Sequence, residues 1–221
     1  MAVSGVIFDF DGTLFDSMPI WNTIAGDFLV EVGIEPKPDL REQIRARSLE
    51  EVAHYMVGEY GLSMTPADVD DHINEMICFR YSSVIEPKPG ALELVEDLHQ
   101  AGIPLAVATA TDAHHIEAAL DRYGILSRFG AITTVRMAGR GKLYPDVYDM
   151  ALERIGSERA STWVFEDAVH AIRTALDAGY RVAAVHDESV DTGWDEILQL
   201  VPAAYETLEI VTLEDLEAMT R

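Results

Sequence analysis

Val6-Ile7-Phe8-Asp9-Phe10-Asp11-Gly12-Thr13-Leu14 is an apolar, β-prone run that ends in two carboxylates one residue apart, followed by a glycine. Side chains alternate along a strand, so Asp9 and Asp11 share one face and Phe8 and Phe10 the other. Gly12 permits a sharp exit that leaves the backbone open to a ligand. Open α/β sheets bind their ligands at the carboxyl ends of strands, where this pair of acids falls. Taken alone, the stretch also admits the less favoured reading of a strand followed by an ordinary Asp-Gly turn.

Working outward, residues 3–9 read as a first strand. Residues 16–86 then hold four helical patterns and no convincing strand. The first follows Asp16, Ser17 and Pro19, with Ile20, Ile24, Phe28 and Val32 at helical spacing. A short one follows Asp39, a third opens on the capping-box spacing Ser48-Leu49-Glu50-Glu51, and a fourth opens at Thr65-Pro66-Ala67-Asp68. Beyond Pro87 and Pro89 helix and strand alternate, with strands at 103–109, 131–135, 162–165 and 181–185 and a possible edge strand near 203–206. That alternation predicts an α/β fold, a doubly wound parallel sheet of Rossmann-like type with both faces covered. The expected organisation is a catalytic core of residues 1–15 and 87–221, interrupted by an all-helical cap of residues 16–86 that controls access.

Composition narrows the function. With 39 acidic against 16 basic residues the chain carries a net charge of −23, which argues against nucleic acid or an anionic membrane surface as partner. Cys78 is the single cysteine, so neither an internal disulfide nor a cysteine-based metal site is expected. No apolar run approaches membrane-span length, and no signal-like segment precedes the first strand. The expectation is a cytoplasmic protein, a monomer or weak homodimer.

The strand ends carry the chemistry. Thr109-Ala110-Thr111-Asp112 follows the second core strand and enters a helix, so the Thr109 hydroxyl and the backbone at Ala110 form a phosphate seat, although Thr111 or Asp112 could simply cap the helix. Lys142 lies just ahead of the helix that starts near Pro145. It is one of only three lysines against thirteen arginines, which suggests a need for a compact ammonium. Glu166 and Asp167 end the strand at 162–165. Two carboxylates about 4 Å apart repel by roughly 4 kcal/mol at an effective dielectric near 20, so converging acids call for a cation. All-oxygen donors point to Mg²⁺. A carboxylate nucleophile, a second carboxyl, a hydroxyl, a lysine and Mg²⁺ together equip a site for phosphoryl transfer through an aspartyl-phosphate.

The ordered set D-x-D-G-T, Thr109, Lys142 and Glu166-Asp167 resembles the haloacid dehalogenase superfamily, of the kind with a helical cap after the first strand. The resemblance implies an Mg²⁺-dependent phosphomonoester hydrolase of a small phosphorylated metabolite. Asp9 would be the nucleophile and Asp11 the proton donor and acceptor. Thr109 and Lys142 would hold the phosphate. Asp9, the backbone carbonyl of Asp11, and Asp167 would bind the metal, with Glu166 beside them. Leu143, Tyr144, Ala168 and Ala171 depart from the usual lysine and acidic motifs without removing a reacting group. Asp11 argues against the dehalogenases themselves. Lys37, the only cap lysine, sits in a proline-flanked turn, which disfavours the phosphonate-cleaving branch. The alternative is a β-phosphoglucomutase-like sugar-phosphate mutase, weakened because Trp21 stands where such members carry a cap histidine. A non-enzymatic phospho-acceptor of receiver type is less favoured, because of the insertion and the D-x-D-G-T motif. Trp21, Arg45 and Arg47 are the candidate cap residues for reading the rest of the substrate. His114 and His115 are expected on a helix surface, without a role.

Overall fold

The computed structural model describes residues 2–44, 47–189 and 193–220. The chain forms two compact units, Met1–Ser17 with Ile85–Arg221, and Met18–Val84.

The first unit is built on a six-stranded sheet in the order β5-β4-β1-β6-β7-β8. The strands are β1 (Gly5–Phe8), β4 (Leu105–Thr109), β5 (Ala131–Thr134), β6 (Thr162–Glu166), β7 (Arg181–Val185) and β8 (Ala204–Tyr205). All five pairings are parallel. Placing β1 between β4 and β6 is what gathers distant motifs: Phe8 lies opposite Val107 on one side and Phe165 on the other. Every residue of β1, β4 and β6 is buried, as a sheet covered on both faces requires. The covering helices are amphipathic. In α5 (Ala91–Gln100) the buried residues are Ala91, Leu94, Val95 and Leu98, which is one helical stripe. The helices α6 (Ala113–Arg122), α8 (Asp146–Ile155) and α9 (Val169–Asp177) show the same one-sided burial. A single-turn α7 (Val135–Ala138), α10 (Trp194–Leu200) and α11 (Leu213–Thr220) complete this unit.

Two short strands, β2 (Phe15–Asp16) and β3 (Glu86–Pro87), pair antiparallel where the chain leaves and re-enters the sheet unit. Residues 16–86 therefore do contribute extended backbone, at their two ends. Each of these strands is two residues long, too short to register as an alternating pattern.

The second unit holds α1 (Met18–Glu31), α2 (Leu40–Ile44), α3 (Leu49–Tyr60) and α4 (Pro66–Ser83). Val69, Ile73, Ile77 and Tyr81 recur every fourth residue along α4 and are all buried. The expected capping box forms at Ser48, and the fourth helix opens on a second one. Ser48 accepts from the Glu51 N–H while the Glu51 carboxylate accepts from the Ser48 N–H, and Thr65 and Asp68 repeat the exchange. Among the described residues, no helix is long and apolar enough to cross a membrane.

Candidate active site

β1 stops at Phe8, earlier than the alternating pattern implies, so alternation places Asp9 but not Asp11. Asp9 is tied to the sheet by its N–H, which donates to the Phe165 carbonyl at 2.9 Å. Asp11 is placed by a turn. The Leu14 and Phe15 N–H groups both donate to the Phe10 carbonyl, and the Gly12 N–H donates to Phe15. Gly12 has φ 81°, and a β-carbon there would sit 2.7 Å from Asp167 Oδ2. Both the dihedral and the space exclude a side chain. Phe10 turns into the core and stacks on Phe15 with ring centroids 4.5 Å apart.

The two aspartates end in different surroundings. Asp9 is 6% exposed, and its Oδ1 lies 2.5 Å from Lys142 Nζ. The same ammonium lies 2.5 Å from Glu166 Oε1. Asp11 is half-buried, and its carboxylate accepts from Ser17 Oγ at 2.6 Å, Thr111 Oγ1 at 2.7 Å and, more weakly, Thr109 Oγ1 at 3.4 Å. Thr109 also accepts from the Thr111 N–H at 3.0 Å, and Ala110 is exposed next to it. The Thr111 hydroxyl is therefore spent on Asp11 rather than on capping α6. Asp112 pairs with Arg136 at 2.9 Å.

Asp9, Glu166 and Asp167 each offer an oxygen, and the three oxygens lie within 4.8 Å of one another, all on buried side chains. Burial, then Glu166, pushes the Asp9 carboxyl well above the ordinary aspartate range. The same causes push Asp167 up to about 7. Burial works against the Lys142 ammonium, but Asp9 and Glu166 outweigh it and hold its pKa above the usual lysine value. One ammonium thus faces three buried carboxylates, and Glu166 Oε2 is buried with no hydrogen-bond partner. An oxygen-only donor set with that excess of negative charge fits a hard divalent cation such as Mg²⁺. The Asp11 carboxylate is engaged by hydroxyls outside this trio.

Several participants escape sequence reasoning. Tyr148, fully buried on α8, donates to Glu166 Oε1 at 2.6 Å. Ser17 reads as a helix start, yet its hydroxyl serves Asp11. Thr13 Oγ1 reaches Asp167 at 3.5 Å. In sequence, Tyr148 is only a tyrosine two residues into the helix that follows the lysine loop, which is indistinguishable from core packing.

Trp21 and Arg47 belong to the helical unit, and His114 and His115 to α6. The Trp21 ring N–H donates to the Tyr81 hydroxyl at 2.9 Å inside the helical unit, and the two rings meet edge to face. Arg47 is exposed, donates to the Gln43 carbonyl at 2.8 Å and lies over the Tyr55 ring. Arg45 lies outside the described residues. His114 is exposed as expected, but His115 is 3% exposed and forms part of the buried stripe of α6 with Ile116 and Ala119. That corrects the surface placement: adjacent helix positions are 100° apart, so one of two neighbours can turn inward.

A sequence model of the haloacid dehalogenase-like hydrolases matches residues 3–179, most of the chain. The chain belongs to the haloacid dehalogenase-like hydrolase family. It is similar to hexitol phosphatase A of Escherichia coli, with 28% identity over 188 residues covering 84% of each protein. It is also similar to (DL)-glycerol-3-phosphatase 2 of Arabidopsis thaliana, with 26% identity over 205 residues, 89% of this chain and 85% of the relative. In fold it matches the crystal structure of CbbY from Rhodobacter sphaeroides in complex with xylulose-(1,5)bisphosphate, at a TM-score of 0.76 and 21% identity, covering 94% of this chain and 96% of that one. Membership in a haloacid dehalogenase-like family of hydrolases makes this an enzyme and sets aside the receiver-type reading.

Proposed function

We propose that the protein is a cytoplasmic, Mg²⁺-dependent phosphatase that hydrolyses a small phosphorylated metabolite through a phosphoryl group carried on Asp9. The observation behind this reading is the unequal setting of the two motif aspartates. Asp9 is buried against Lys142, where an ammonium can draw a phosphate dianion to it, while the Asp11 carboxylate accepts from the Ser17 and Thr111 hydroxyls. Two acids in different environments take different tasks.

In the first step an Asp9 oxygen attacks phosphorus. The bond from phosphorus to the alcohol oxygen breaks, and that oxygen leaves with the proton of Asp11. In the second step Asp11, now a carboxylate, takes a proton from water. The water oxygen attacks phosphorus, the bond to Asp9 breaks, and inorganic phosphate leaves. Lys142 and the Thr109 hydroxyl, with the backbone at Ala110, position the phosphate oxygens. Asp9, Glu166 and Asp167, with the Asp11 carbonyl, would hold Mg²⁺. When bound, the ion supplies positive charge that screens the phosphate from the attacking carboxylate. The helical unit acts as a cap that selects the substrate, with Trp21, Arg45 and Arg47 as candidate readers. The phosphatase names of the relatives support a phosphate-ester substrate.

The test is phosphate release from a panel of sugar, polyol and nucleoside monophosphates with Mg²⁺, comparing wild type with Asp9→Asn. Release by the wild type and none by the variant is expected. Equal turnover in both removes the reading. Isomerised sugar phosphate with little free phosphate replaces it with the mutase.

A further inference from the structure

One buried charge pair of the sheet unit has no part in these steps. β7 ends at Val185, and the chain then presents His186 and Asp187 at the carboxyl edge of the sheet, next to β6. Asp187 is 1% exposed. Its Oδ1 accepts from the Ser189 N–H at 2.8 Å and from the Ser189 hydroxyl at 2.5 Å. Its Oδ2 accepts no hydrogen bond among the described residues and faces Lys88 Nζ at 3.4 Å. The Lys88 side chain, 12% exposed, donates to the His186 carbonyl at 2.7 Å.

The direction of Asp187 is the informative point. A β-carbon on Gly12 would lie 2.7 Å from Asp167 Oδ2 and 2.8 Å from Asp187 Oδ2. Both oxygens approach the same bare Cα, so Asp187 is a close neighbour of one of the three clustered carboxylates. A charge pair that only fastened the chain could sit anywhere along this edge, and an apolar pair would serve as well. Turning an additional buried carboxylate toward an acidic cluster costs free energy unless something positive is expected there. Lys88 offsets part of that charge, and among the described residues its ion pair is with Asp187.

We propose that Asp187 and Lys88 form a charge pair beside Asp167 that sets how tightly the Asp9–Glu166–Asp167 group holds a divalent cation, without either side chain touching the ion. The inference rests on the Mg²⁺ reading above. Asp187 strengthens cation binding and Lys88 weakens it, so the two act with opposite sign.

The experiment is calorimetric titration of the full chain with Mg²⁺ alone, in wild type, Asp187→Asn, Lys88→Met, the double variant and Asp167→Asn, with melting temperatures measured in chelator. Asp187→Asn is expected to weaken Mg²⁺ binding about 5- to 20-fold and Lys88→Met to tighten it by a similar factor, as Coulomb energies at short range and partial screening imply. The double variant should return to within about threefold of wild type. Shifts of the same sign, or unchanged affinity in both single variants, would overturn the proposal and leave the pair as a fastening of the fold. Where Lys88→Met does not fold, weakened binding in Asp187→Asn together with recovery in the double variant supports the proposal, and no recovery overturns it. Absence of Mg²⁺ binding by the wild type overturns the cation reading and this inference together. Binding abolished by Asp167→Asn but indifferent to the Asp187 and Lys88 variants overturns this inference alone.

Discussion

Lys142 Nζ lies 2.5 Å from Asp9 Oδ1, and each side chain is only 8% exposed. A buried ammonium against a buried carboxylate, with Glu166 at the same distance on its other side, is an electrostatic seat formed before any substrate arrives.

Lys142→Ala removes the ammonium from that seat. A loss of about 100- to 1,000-fold in kcat is expected, as for removal of one preorganised donor. Lys142→Arg should not restore it, since a planar fork cannot take the place of a compact ammonium between two carboxylate oxygens. Steady-state phosphate release measures both. Activity of the arginine variant within about threefold of wild type would contradict the geometric argument.

Tyr148 bonds Glu166 Oε1, the oxygen that also faces Lys142. Tyr148→Phe deletes one hydrogen bond to a buried carboxylate without changing the packing. The expected cost is about 1.5–3 kcal/mol, read as a fall in melting temperature of about 3–12 °C for a chain of this size. An unchanged melting temperature would show that Glu166 has another donor in solution.

Gly12→Ala places a β-carbon within 3 Å of two buried carboxylate oxygens at a backbone φ of 81°. The left-handed conformation alone costs about 1–2 kcal/mol for an alanine, and the displaced Asp167 should lose its place in the carboxylate group. The variant should melt lower and gain less stability from added Mg²⁺ than wild type. Thermal scans with and without the ion test both effects.

Burial, followed by its neighbour His114, lowers the His115 pKa to about 4. The folded state resists protonation that the unfolded chain accepts near 6.5. His115 therefore contributes no penalty above 6.5, and stability falls as the pH drops from about 6.5 towards 4. His115→Gln cannot take that proton. Its melting temperature should decline less than that of wild type across this window, by about 3–6 °C, while acidic groups elsewhere affect both proteins alike. Parallel curves would contradict the assignment.

The sequence by itself determined the α/β alternation, the helical insertion, the capping box at Ser48 and the ordered acids, threonine and lysine, because each is a local pattern. Apolar periodicity, cap residues and strand-end chemistry are written within a few positions of one another. Only the tertiary structure decided which patterns meet. The order β4-β1-β6 brings residues 9, 109 and 166 side by side, and no local signal carries the pairing of strands that are more than fifty residues apart. The same reason hid the hydroxyls of Ser17 and Tyr148, which look like a helix start and a core aromatic until Asp11 and Glu166 arrive beside them. It also hid the inward turn of His115, since two adjacent histidines read alike and only the packed sheet distinguishes the buried one. Asp9 and Asp11 were legible as a pair. Their separation into a lysine-bound acid and a hydroxyl-bound acid came from a turn that closes over Gly12 and from strands on either side of β1.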